Sequence, residues 1–355
     1  MRLLAAAMVV VAVYQSAGGD AGFRYDPATR RCVNAAGERG HNAGYLDVNA
    51  RNAECTDLRE RQAHQTFAGF NFKGARLVKM DFRSSSFDGA QLDGADLTMA
   101  VLCGHTPWGA YNVADLRNAS LVHATLTGVA AESVPFGNAV LQDAVLFGAK
   151  MRQADFRGAN LIRAMLDSAD LQDARFTDAR MDRASVEQAI LTNATFERAI
   201  LIGASFKSSN LDGVNFQHTK MAGALLSFTT STGLSPQFYK ADLTGANFFK
   251  ARLSKPRMVG AVLKGANLKS AELGNAALEG ADLSGADLSG ATLSVAGTPR
   301  CTLRNAVLAN ADLRGANLQN CYVEGVTVTG AKYDGATKLP FTEAVARKHG
   351  MVKVN

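Results

Sequence analysis

The sequence predicts an all-β chain wound into a single elongated solenoid with terminal caps, and three observations carry that prediction. The first is a period of five, with large apolar residues at Phe67, Phe72, Leu77, Phe82, Phe87, Leu92, Leu97 and Leu102. A helix face repeats about every 3.6 residues and a strand face about every 2, so a period of five marks a repeating bend. The second is a small partner two positions before the large residue, as at Ala90, Ala95, Ala139, Ala144 and Ala154. One large and one very small inward side chain per five residues fill a narrow tube at interior packing density. The third is composition: abundant alanine and 33 glycines stand beside one Trp, seven Tyr and seven Pro. So little bulk cannot build a conventional core, whereas close-packed repeats need none.

Taken from the start, Met1 and Arg2 precede an apolar run from Leu3 to Tyr14, followed by Ser16, Ala17, Gly18, Gly19 and Ala21. That order reads as an export signal peptide over residues 1–21, with cleavage after Gly18, Gly19 or Ala21. An uncleaved anchor and a buried terminal helix remain open alternatives. The run is shorter than the about 20 residues a spanning helix needs, and no second apolar segment of that length follows. No transmembrane domain is therefore expected in the mature chain, which is placed in the periplasm or outside the cell. Residues 22–64 lack the period and form the expected N-terminal cap, with a disulfide between Cys32 and Cys55 stapling a segment poor in apolar residues.

The repeat occupies 65–338. It breaks at 103–113 and resumes at Leu116, where only Ala131 departs before Leu226; it breaks again at 227–237 and runs from Phe238 to Tyr333, where only Thr298 departs. Neither gap is a multiple of five, so each holds a loop, bulge or missing side. The first contains His105, Trp108 and Tyr111, a candidate loop site, since loops on rigid scaffolds often bind. Past Pro340, residues 339–355 form the C-terminal cap, with an amphipathic helix expected over Phe341 to His349 and an apolar face of Phe341, Ala344, Val345 and Met351. That face closes the last turn or joins a second copy in a homodimer.

The stretches Ala95-Asp96-Leu97, Ala241-Asp242-Leu243-Thr244-Gly245, Ala281-Asp282-Leu283-Ser284-Gly285 and Ala311-Asp312-Leu313-Arg314-Gly315 resemble the pentapeptide repeat family. The resemblance implies a right-handed quadrilateral parallel β-helix, with four five-residue sides, 20 residues per turn and turns about 4.8 Å apart. Asp or Asn before the large residue would lie outside near the bend and bond local backbone. The resemblance specifies fold far more than function, because members of the family act in unrelated ways.

Chemistry-bearing patterns are sparse. His41, His64, His105, His123, His218 and His349 show no spacing suited to zinc or an activated nucleophile. His105 has Cys103 and Asp115 as its nearest sequence partners. Asp282 and Asp287 recur through repeat grammar, and the glycines fall at bends such as Gly245 and Gly285, not in a phosphate loop. No catalytic residue, cofactor or metal site is expected. Cys301 and Cys321, 20 positions apart, stack either as two buried thiols or as a disulfide across turns. Val140, Ile162, Ile200 and Ile202 fall on one outward side, with Val145, Phe147, Met165 and Ile190 beside it, and form a candidate interaction surface interrupted by Arg180, Asp182 and Lys220.

The leading functional expectation is a non-enzymatic exported structural or interaction scaffold whose partner is an envelope or extracellular protein or polymer. The resemblance supplies an alternative, a DNA-mimicking modulator of type II topoisomerase. Its acidic, DNA-like surface conflicts with 38 Lys and Arg against 32 Asp and Glu, a net charge of +6, and nucleic acid itself is not an expected partner because the cations are unclustered. An enzyme acting on an envelope glycan is a further alternative, without an evident cleft.

Overall fold

The computed structural model describes residues 24–26, 31–33, 67–69, 72–105, 111–295 and 301–355. Cys55 and Trp108, together with the leader, lie outside the described residues, and so does the Cys32–Cys55 pairing. The repeat is best understood through its backbone donors, using Asp155 to Ala159. Asp155 donates its N–H to the Val134 carbonyl at 3.0 Å and bridges Arg175 in the next pass of the chain. Phe156, pointing inward, donates to the Arg175 carbonyl at 2.7 Å, and Gly158 to Thr177 at 3.0 Å. Ala159 closes the bend by donating to Phe156 at 3.0 Å. The remaining donor, Arg157 N–H, bonds the Asp155 carboxylate at 3.1 Å. All five N–H groups are satisfied, as an interior this narrow requires.

The bend turns on its second central residue, which is left-handed at almost every bend, with φ from 49° at Lys255 to 74° at Gly330. Glycine fits there without steric cost, and Asn or Asp tolerates it through local side-chain bonding.

This bend corrects the expectation of a right-handed quadrilateral parallel β-helix solenoid. The described residues contain no continuous or closed sheet. Regular strand is confined to eight segments: β1 Arg24–Asp26, β2 Arg31–Val33, β3 Cys103–His105, β4 Tyr111–Val113, β5 Thr230–Ser231, β6 Arg252–Leu253, β7 Lys332–Tyr333 and β8 Val352–Lys353. They pair as four separate two-stranded sheets, β1–β2 and β3–β4 antiparallel, β5–β6 and β7–β8 parallel. Elsewhere neighbouring passes meet through isolated single-residue parallel bridges, such as Val140↔Asn160 and Asn160↔Arg180. The physical reason is the left-handed residue every fifth position, which ends each extended stretch before a ladder can grow.

The bridge register records the interruptions. It is 20 residues at Asn160↔Arg180, 29 at Gln91↔Ser120, 22 at Asn215↔Gln237 and 25 at Ala277↔Thr302. The first change is the β3–β4 hairpin, which stands out from the stack. The second is a two-residue expansion after Ser231. The third falls between Thr292 and Thr302 and was not expected from the sequence: five added residues keep the period in phase, so the fifth-residue series continues through Thr298 without losing step.

The core follows from the register. Passes locked in step place like positions over one another, so Phe136, Phe156, Phe176 and Phe196 stack with centroids 4.8, 4.8 and 4.7 Å apart. Rings of Phe156, Phe176 and Phe196 are within 2° of parallel. The alanines between them are buried and let the walls approach. Ala131, the exception among large positions, is flanked by buried Val129 and Val134 in slots that normally hold alanine, which restores the lost volume.

At the C-terminus, helix α1 spans Glu343–Lys348, with the Thr342 hydroxyl accepting from Val345 N–H. Its buried residue is Ala346, with Met351 beyond it, whereas Ala344 and Val345 face outward. Gly350, at φ 80°, ends the helix and lets β8 pair with β7, whose pass would otherwise leave its donors and acceptors unpaired.

Truncating a stacked ring removes contacts on both of its faces. Phe176→Ala is expected to cost about 3–5 kcal/mol, read as a lowered denaturation midpoint; an unchanged midpoint would show that the ring stack contributes nothing.

Candidate functional site

The residues that bridge successive passes present their side chains on the outside, so the bridges define outward columns. One column runs Val140, Asn160, Arg180, Ile200, Lys220. Ile162 and Ile202 lie beside it at the adjoining bend, since Arg163 donates to Asp182 at 3.0 Å and Arg183 to Ile202 at 2.9 Å. The four residues share a side but fall into two pairs, Val140 with Ile162 and Ile200 with Ile202. Between them stand Asn160 and the Arg180–Asp182 ion pair, at 3.8 Å. Val140, Ile162 and Ile200 are half-buried, while Ile202 is 46% exposed. The adjoining side carries Phe147 and Met165, with Ile190 on the next; they are 51%, 46% and 42% exposed.

The first interruption is built differently from a free loop. Arg83 donates from its guanidinium to the His105 carbonyl at 2.6 Å, fixing the hairpin to the preceding pass. His105 and Tyr111 face one another across the hairpin at 5.1 Å. Cys103 is buried at its base, where Glu132 N–H donates to the sulfur at 3.0 Å. Burial pushes the Cys103 thiol up, which disfavours the thiolate a nucleophile requires. Asp115 pairs with Arg117 at 2.6 Å. Among the described residues, no group of three or more His, Cys, Asp or Glu is arranged to hold a metal ion, and no helix is long and apolar enough to cross a membrane.

The second interruption displays side chains that sequence reasoning missed. Phe228 and Leu234 are 50% and 53% exposed, and Phe228 meets Phe249 edge-on at 5.7 Å. Attention to the fifth-residue series hid them; the signal was aromatic residues out of phase with it, as in Phe248-Phe249.

Cys301 and Cys321 are joined by a disulfide, their Cα atoms 4.6 Å apart. Both lie in small inward slots and are buried. The bond ties consecutive passes just after the segment 296–300.

Part of the charge on the outside is paired. Within a group of five, Asp115–Arg117, Asp155–Arg157 and Asp312–Arg314 each pair at 2.6 Å. Across passes, Asp143–Arg163 pairs at 2.7 Å and Asp178–Arg198 at 2.8 Å. The guanidinium partners hold the Asp115, Asp143, Asp178 and Asp312 carboxyls below the usual carboxylate range. Such exposed pairs each stabilise little, but they deny the surface an unbroken acidic stripe.

With this geometry in place, the comparisons with known proteins are informative about family. The pentapeptide repeat family model matches in eight copies, over residues 66–100, 139–178, 179–217, 189–227, 257–294 and 300–332. The chain belongs to the pentapeptide repeat family. Among solved structures of this family, it is similar to HetL, involved in heterocyst differentiation regulation in the cyanobacterium Nostoc sp. strain PCC 7120, at 24% identity over 76% of this chain and 90% of that one, with TM-score 0.19. It is also similar to QnrB1, a plasmid-mediated fluoroquinolone resistance protein, at 20% identity over 58% and 88%, with TM-score 0.24. A mannuronic acid-specific polysaccharide lyase of family 6 from human gut microbiota matches at 11% identity over 79% and 76%, with TM-score 0.33. TM-scores this low specify no activity for this member of the pentapeptide repeat family. No curated protein sequence matches the chain.

Two stability measurements check the site's supports. Reduction of the Cys301–Cys321 bond, or Cys321→Ser, is expected to cost about 3 kcal/mol, read from unfolding with and without reductant; equal curves would remove the bond from the account. The aspartate shifts carry a definite sign. A carboxyl whose folded pKa is depressed adds stability that is full above its unfolded value, about 3.9, and is lost as pH falls through the folded value. The melting temperature should hold from neutral pH to about 5 and fall below about 4, and Arg163→Gln with Arg198→Gln should shrink that fall. A melting temperature that rises on acidification would contradict the assignment.

Proposed function

We propose that this pentapeptide repeat protein is a non-enzymatic scaffold that docks a protein partner on its outward sides, after export to the periplasm or the medium. The observation that carries the reading is the group of outward apolar side chains, Phe147, Met165, Ile190 and Ile202, each more than 40% exposed. They stand on passes whose backbone groups are already hydrogen-bonded, so contact with a partner must go through side chains. Clustered outward apolar residues mark interaction surfaces more often than they mark chemistry. The reactive groups that the sequence offered are otherwise engaged: Cys103 is buried with a raised pKa, Asp115 is tied to Arg117, and Cys301 and Cys321 share a bond. The apolar segment from Leu3 to Tyr14 supports export.

A second reading, modulation of a type II topoisomerase, is supported by family membership, since that is the activity for which the family is best known and a fluoroquinolone resistance protein is among the similar structures. The net charge of +6 and the Asp–Arg pairing weigh against mimicry of an acidic duplex.

Cross-linking in living cells, followed by recovery of the full chain, separates the two. Phe147→Ser, Met165→Ser, Ile190→Ser and Ile202→Ser combined should leave the melting temperature near its parent value and reduce recovery of an envelope partner by about tenfold or more. Undiminished recovery would remove this surface from the proposal. In a supercoiling assay the mature protein should leave a type II topoisomerase unaffected; inhibition at equimolar protein would replace the first reading with the second.

A further inference from the structure

One pass of the stack concentrates charge in a costly way. Its four bends hold Lys240, Gly245, Lys250 and Lys255, at φ 51°, 64°, 54° and 49°. A left-handed bend suits glycine, and a Cβ there crowds the following carbonyl. Among the described residues, Lys79 is the one other lysine in this conformation. Lys269 lies at the same bend of the next pass, its carbonyl accepting from Lys250 N–H at 3.2 Å. The nearby carboxylates are directed elsewhere, Glu272 to Arg252 and Asp282 to Lys264, each at 3.2 Å. Lys250, Lys255 and Lys269 make no ion pair with any described residue, so the fold itself gains nothing from three cations set around one side. Lys250 Nζ lies 5.1 Å from the Phe249 ring, and Phe249 meets Phe228. At the other end of that side is Leu234, on the expansion whose Ser231 carbonyl accepts from Ser254, the residue before Lys255.

Resting on the protein-docking reading above, we propose that this side, framed by Phe228, Leu234, Lys250, Lys255 and Lys269, binds an acidic amphipathic segment of a partner protein. Each feature narrows the occupant. The cations call for carboxylates. Phe228 and Leu234 call for apolar side chains, which a polysaccharide or nucleic-acid backbone does not supply to an aliphatic residue such as Leu234. Thr230, Arg252 and Glu272 already bridge one another, so the segment cannot add as a strand and must bind through side chains. The cationic strip covers two passes, about 10 Å at the usual strand spacing, which fits one segment and is too narrow for a bilayer. Arg252, between Lys250 and Lys255, is 70% exposed at its side chain and its pair with Glu272 is weak, leaving it free to exchange partners.

The test uses the full chain and a short fluorescent peptide with Glu along one helical face and Leu along the other. Phosphatidylglycerol vesicles and a single-stranded oligonucleotide serve as competing polyanions. The peptide should bind and weaken with salt. Lys250→Gly with Lys255→Gly should weaken it about tenfold or more while raising the melting temperature, because glycine relieves both bends. Phe228→Ser with Leu234→Ser should weaken it similarly. No peptide binding, binding that survives both double variants, or tighter binding to vesicles or oligonucleotide would overturn the proposal. If the cross-linked partner is recovered undiminished with Lys250→Gly and Lys255→Gly, this site fails and the broader docking reading stands.

Discussion

The structure depends on one constraint, the hydrogen bonding of each pass of the chain to the next at a fixed register. Three of five donors in a group such as Asp155 to Ala159 cross to a neighbouring pass, one closes the bend and one bonds a side chain. Because the register leaves no freedom to slide, most inward residues have a like residue directly above and below. The phenylalanine stack at about 4.8 Å is thus set by backbone spacing, not by a preference of the rings for face-to-face contact. Alanine in the alternate slot follows from the same narrowness.

A backbone satisfied internally has functional consequences. It presents no free ladder along its sides, and the C-terminal segment uses the donors and acceptors of the final pass through β8. What remains for recognition is the pattern of outward side chains and the two excursions, the β3–β4 hairpin and the expansion after Ser231. Asp–Arg pairs neutralise part of the regular columns. Apolar groups at Ile202 and Met165 and the cations at Lys250 and Lys255 lie outside that pairing.

Much of the architecture was legible in the sequence because a period of five, with paired large and small residues, has one economical explanation, a regular bend. The inward residues, the two out-of-phase interruptions and the superposition of Cys301 on Cys321 all follow from counting. The continuity of a β-helix does not. Counting sets where residues recur, whereas the left-handed φ at each bend decides how long any strand lasts, and it limits regular pairing to single bridges. The in-phase insertion between Thr292 and Thr302 was invisible to counting for a related reason, since adding five residues leaves a period of five unchanged.

The sequence by itself determined the family, the inward face, the export segment as an expectation, and the scarcity of catalytic groupings, because these depend on residue type at fixed spacing. Only the tertiary structure decided which outward residues meet. It split Val140 and Ile162 from Ile200 and Ile202 around Arg180–Asp182, buried Cys103 beneath a hairpin, and set Phe228 beside Phe249 and Leu234 near Lys255. Those juxtapositions depend on the exact register between passes, which changes from 20 to 21, 22, 25 or 29 residues where the chain makes an excursion.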